Sequence, residues 1–122
     1  MRRTLWLLAV AVVLAAPAMA AAQPTAVGVG EREWRIALYR SWVPAGLVKF
    51  NVRNFGEDGH DFVVRNARGL VRARLPEIGA GETASVTARL LRPGRYTVYC
   101  SLPGHVELGM RAVLRVRRKT GE

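Results

Sequence analysis

Cysteine is almost absent from this 122-residue chain, which has only Cys100. That excludes an internal disulfide, so a domain of about a hundred residues must rest on its hydrophobic core. Histidine is nearly as scarce, with only His60 and His105. Two imidazoles are too few to build more than one histidine-rich metal centre. Acidic residues are outnumbered, nine Asp and Glu against nineteen Lys and Arg, for a formal charge of +10. No segment keeps a helical period, and there is no internal repeat or low-complexity tract, which excludes a helical or repeat architecture.

The one long apolar run lies at the N-terminus. In MRRTLWLLAVAVVLAAPAMA, Arg2 and Arg3 precede an apolar stretch from about Leu5 to Ala16, followed by Pro17 and small residues. This is the order of a secretory signal, with cleavage after Ala20 or Ala22. The run is short for a bilayer span, so residues 1–22 are read as a signal peptide rather than a retained anchor. The protein is then exported, to the periplasm or another extracytoplasmic site, with membrane association left open. Loss of Arg2 and Arg3 takes the charge from +10 down by two, to about +8. Export argues against nucleic acid as a partner. The cations are scattered along the chain, which suits a solvated surface or the steering of an acidic protein.

Beyond this segment, residues 23–30 read as a flexible arm and residues 31–122 as one domain. Short stretches there alternate apolar and polar residues. Trp34, Ile36 and Leu38 share a face, as do Val48, Phe50 and Val52. Ala84, Val86, Ala88 and Leu90 form another such set, then Tyr96, Val98 and Cys100, then Ala112, Leu114 and Val116. Turn signals separate them at VPAG, NFGEDG, IGAGE and RPGR. Many short strands at short intervals predict an all-β sandwich or barrel.

A lone thiol in an oxidising compartment is a liability unless something occupies it. It could pair with another chain, lie buried and inert, or bind a metal. In YCSLPGHVELGM, Cys100, His105 and Met110 fall on one loop, and His60 precedes the apolar stretch DFVV forty residues earlier. Each has an ordinary reading, as a buried small hydrophobe, a turn residue, a packing methionine or a loop histidine. Together, a soft thiolate, two borderline imidazoles and a weak thioether suit copper cycling between Cu(I) and Cu(II). SLPG turns the chain after Cys100 and VELG returns it to Met110, so one loop delivers three ligands and a distant strand delivers His60.

These residues carry a resemblance. VPAGLVKFNVRNFGEDGHDF and GETASVTARLLRPGRYTVYCSLPGHVELGMRAVLRV, from about Val43 to Val116, resemble the cupredoxins, the blue copper proteins of the plastocyanin and azurin type. The ligand loop is most similar to that of the rusticyanin and sulfocyanin group. The resemblance implies a Greek-key β-sandwich of about eight strands with copper near one end. It also implies His60, Cys100 and His105 as in-plane ligands and Met110 as the axial one. The residue after the first His is commonly Asn or Ser in such proteins, and here it is Asp61. The resemblance gives that residue a backbone N–H directed at the cysteine sulfur, and the Asp61 carboxylate is placed to accept from Ser101.

The ligand census limits the function. A binuclear copper centre needs a second cysteine four residues after the first, where this chain has Gly104. A mononuclear site with all its ligands from protein leaves no position for a substrate. The expectation is a monomeric electron carrier, not an enzyme, that shuttles single electrons between redox proteins. These partners would dock around His105, on Leu102, Pro103, Val106 and Leu108. The competing reading is copper storage, delivery or resistance, although the chain has no Met- or His-rich tract for it.

Overall fold

The computed structural model describes residues 10–19 and 21–121. Much of the expected signal peptide therefore lies outside the described residues. Val10, Val12, Val13 and Leu14 are exposed, and residues 10–19 have no regular secondary structure. Among the described residues no helix is long and apolar enough to cross a membrane.

Period-two alternation becomes two facing sheets. The first has the order β2-β1-β4-β7, built from β1 (Thr25–Arg32), β2 (Arg35–Leu38), β4 (Gly46–Asn54) and β7 (Thr83–Leu90). The second has the order β3-β9-β8-β5-β6, built from β3 (Trp42–Pro44), β5 (His60–Arg65), β6 (Val71–Ile78), β8 (Gly94–Tyr99) and β9 (Arg111–Arg117). Each sheet mixes directions, since β1 runs parallel to β4 and β3 parallel to β9. The chain changes sheet five times, between β2 and β3, β3 and β4, β4 and β5, β6 and β7, and β7 and β8, as suits a Greek-key sandwich.

Residues 25–30 correct the expectation of a flexible arm. They belong to β1, whose register runs from Thr25 opposite Val48 to Glu31 opposite Asn54. Val27 and Val29 point into the core and are fully buried. TAVGVGER gave a weak strand signal because glycines alternate with its valines, and glycine has low strand propensity.

The core is the set of inward faces. Val27, Val48, Phe50 and Val52 meet Phe62, Val64, Val98 and Leu114, all within 1% exposure. Burying each such side chain stabilises the fold by roughly 1.5–3 kcal/mol. The Phe50 and Phe62 rings bridge the sheets with centroids 5.3 Å apart. Tyr96 Oη donates to the Arg92 carbonyl at 2.9 Å, fastening the turn that leads into β8. β5 is a central strand whose residues 60–64 are all buried, so its HDFVV run has no solvent face.

Candidate metal centre

The strands place four side chains at one end of the sandwich. His60 opens β5, and Cys100 directly follows β8. His105 begins α1 (His105–Leu108), a single helical turn inside the loop that the sequence presented as a plain hairpin. Met110 stands one residue before β9. Main-chain bonds lock the loop: Cys100 N–H donates to the Met110 carbonyl at 3.1 Å, and Met110 N–H donates to the His105 carbonyl at 3.0 Å. Glycine makes that path possible. Gly104 and Gly109 have φ of 80° and 120°, and a Cβ on Gly109 would stand 3.0 Å from the Trp34 carbonyl oxygen.

One ring nitrogen from each histidine and the cysteine sulfur all lie within 4.8 Å of one another. His60 Nδ1 is 3.3 Å from His105 Nδ1, which is 3.4 Å from Cys100 Sγ. His60, Cys100 and Met110 are fully buried, while His105 is partly exposed.

Glu33 sets the state of His60. Its Oε1 accepts from His60 Nε2 at 2.8 Å and from Asp58 N–H at 2.9 Å, and its Oε2 accepts from Glu57 N–H at 3.1 Å. The Asp58 and Glu57 N–H groups, then His60, hold the Glu33 carboxyl down to about 2. An ionised carboxylate only accepts, so the imidazole proton sits on Nε2 and leaves the Nδ1 lone pair facing His105 and Cys100. Carboxylate–histidine pairs of this kind orient metal ligands and raise their basicity.

Asp61 ties β5 to the ligand loop, as its side-chain chemistry suggested. Its carboxylate accepts from Ser101 N–H at 2.5 Å and from the Ser101 hydroxyl, with Arg74 Nη1 4.0 Å away. The Cys100 thiol is pushed up to about 11, chiefly by burial and further by the Asp61 carboxylate. The backbone N–H groups of Leu102 and Asp61 act against this by stabilising a thiolate. A buried sulfur with such donors and two converging imidazole nitrogens is a donor set for a thiophilic, redox-active cation.

Sequence reasoning missed three residues here. Glu33 lies in the β1–β2 turn, within no motif. Trp34, expected on a core-facing strand position, is in the same turn and is 38% exposed. It lies edge-on to His105 at 4.8 Å and to His60 at 6.4 Å between centroids, and so walls the site. Glu31 continues the inward face of Val27 and Val29, and neither of its buried oxygens has a hydrogen-bond partner. Burial first, and the Asp61 charge second, push its carboxyl up to about 8. The alternation V-G-V-G-E could have flagged Glu31 as inward had the segment been read as a strand.

Carboxylates crowd this end. Glu57 and Asp58 are on the β4–β5 loop, Glu77 is near the end of β6, Glu82 precedes β7, and Glu107 is on α1. With Glu31, Glu33 and Asp61, they place every acidic residue among the described residues on the half that holds both histidines. The expected docking residues surround His105: Leu102 packs against the core, Val106 is half-buried, Pro103 is exposed and Leu108 is 56% exposed.

Comparison with known proteins bears on the fold and family. Residues 40–117 match the copper-binding proteins of the plastocyanin/azurin family. The chain has no match among curated protein sequences. Among solved structures it is similar to auracyanin from Roseiflexus castenholzii, at TM-score 0.60 and 17% identity, over 80% of this chain and 99% of that one. It is similar to auracyanin A, a "blue" copper protein from Chloroflexus aurantiacus, at TM-score 0.62 and 19% identity, over 78% and 100%. Rusticyanin from Thiobacillus ferrooxidans aligns at TM-score 0.65 and 15% identity, over 80% and 79%. At such identities the shared property is the fold, and residues 31–34 lie ahead of the family match. The chain belongs to the plastocyanin/azurin family of copper-binding proteins, the cupredoxins.

Proposed function

We propose that this cupredoxin is an exported carrier of single electrons, with one copper held by His60, Cys100 and His105 and more weakly by Met110. One observation carries the reading. Two imidazole nitrogens and a thiol sulfur converge within 4.8 Å in a buried site whose every strand is fixed by the fold. Bound copper supplies a one-electron couple between Cu(I) and Cu(II).

The protein's own part is to keep the donors still. Glu33 holds His60, Asp61 holds Ser101 beside Cys100, and the Cys100–Met110 and Met110–His105 main-chain bonds hold the loop. Donors fixed in this way need little rearrangement when the oxidation state changes. The buried donors and the Trp34 ring against both histidines leave little room for a substrate, which suits electron transfer. His105 is the partly exposed ligand, so its ring edge is the port. Leu102, Pro103, Val106 and Leu108 form the apolar rim for short-lived contacts with donor and acceptor proteins. The N-terminal segment supplies the export signal.

Copper storage or delivery is the competing role, and the buried donors weigh against it because cargo must leave easily. Repeated reduction and oxidation in the presence of a copper chelator tests the choice. A carrier keeps its copper through many cycles, whereas a storage protein loses it on reduction.

A further inference from the structure

Many of the arginines scattered in sequence are gathered at one end of the sandwich, while Arg32, Arg35, Arg53 and Arg111 lie at the other. The half opposite the histidines carries Arg40, Arg68, Arg72, Arg89, Arg92 and Arg117, with no carboxylate among the described residues there. Arg68, Arg72, Arg89 and Arg92 line one open cleft of about 280 Å³ between the β5–β6 turn and the end of β7. Arg40 and Arg117 stack on Trp42 at 5.9 and 4.6 Å from the ring centroid, beside a second cleft. A single-sign surface of this density repels itself unless an anionic surface covers it.

We propose that this basic pole docks on an anionic lipid surface. Two observations favour a membrane over an acidic protein. Exposed apolar side chains stand at the tips of the same pole, with Leu70 56%, Leu91 57% and Trp42 41% exposed. Indole beside guanidinium is a pairing suited to the headgroup region, where the ring sits between apolar and wet layers. Docked in this way, the sandwich stands upright with its acidic, histidine-bearing end directed away from the lipid. The His105 rim stays open to soluble partners. The pole does not depend on copper, so apo- and copper-loaded protein dock alike.

The test is flotation of the mature chain, residues 23–122, with vesicles of phosphatidylglycerol and phosphatidylcholine, against vesicles of phosphatidylcholine alone, followed by amide exchange on the bound protein. Docking requires binding that depends on the anionic lipid and weakens with salt, with protection at residues 66–70 and 91–95 and none at 101–109. The triple variant Arg68→Glu, Arg92→Glu and Arg117→Glu should lose roughly a hundredfold in affinity, given the worth of each cation near an anionic surface. Its copper absorption should match the parent, which shows that it has folded. Equal binding to both vesicle types, failure to bind anionic vesicles, or protection at the copper end would each overturn the proposal.

Discussion

Glu33 Oε1 lies 2.8 Å from His60 Nε2, and the same carboxylate gathers the N–H groups of Glu57 and Asp58. One side chain from the β1–β2 turn thus orients His60, the proposed ligand on the other sheet, and braces the loop leading to it.

That contact makes His60 a more electron-rich donor, which favours the oxidised metal. Glu33→Gln keeps the shape and removes the charge. The reduction potential should rise by roughly 30–60 mV, equivalent to up to about a tenfold change in relative affinity for the two oxidation states. Voltammetry of the two proteins decides it, and an unchanged or lower potential contradicts the role.

Asp61 brings a second carboxylate to the site while pinning Ser101. Asp61→Asn retains an oxygen for the Ser101 N–H and loses the charge. Its potential should also rise, by less than for Glu33→Gln because Arg74 partly offsets the Asp61 charge. Equal potentials for variant and parent would remove Asp61 from the tuning of the metal.

Glu31 gives the fold a pH dependence. Its carboxyl is raised to about 8 in the folded state, from an ordinary 4.5. The folded protein therefore holds a proton that the unfolded chain gives up. This group's contribution is most favourable below about 4.5, declines as pH rises towards about 8, and is level above that. The loss amounts to at most about 5 kcal/mol. Urea unfolding of the apo-protein at intervals across this range should show the slope, and Glu31→Gln should flatten it. Parallel stability profiles for the two proteins would contradict a neutral buried acid.

Leu108 tests the port without knowledge of any partner. Two copies meeting at their His105 rims exchange electrons, and Leu108→Lys places like charges in that encounter. Self-exchange, read from NMR line broadening in mixed oxidation states, should slow roughly tenfold or more, with the visible spectrum unchanged. An unaltered rate would move the port elsewhere.

The strands with clean alternation, such as Val48, Phe50 and Val52, were legible because one face is dry and the other wet. β1 was not, since glycines blunt its pattern. β6 was missed for a different reason: it is an edge strand with Pro76 inside it, and only Leu75 and Ile78 are buried. The cluster of His60, Cys100 and His105 was legible because these residue types are rare in this chain. Glu33 and Trp34 were not, because a turn residue's role comes from where the fold carries it. The scattered arginines misled for the same reason: strands that reverse at every turn collect sequence-distant cations at one pole.

The convergence of His60, Cys100, His105 and Met110 on one copper is tested most directly by adding Cu(II) to the purified apo-protein and recording the visible spectrum. The parent should give an intense blue or green band that ascorbate bleaches and reoxidation restores, and Cys100→Ser should give none. A weak, nearly colourless complex, or the same band from Cys100→Ser, would contradict a thiolate-bound electron-transfer site.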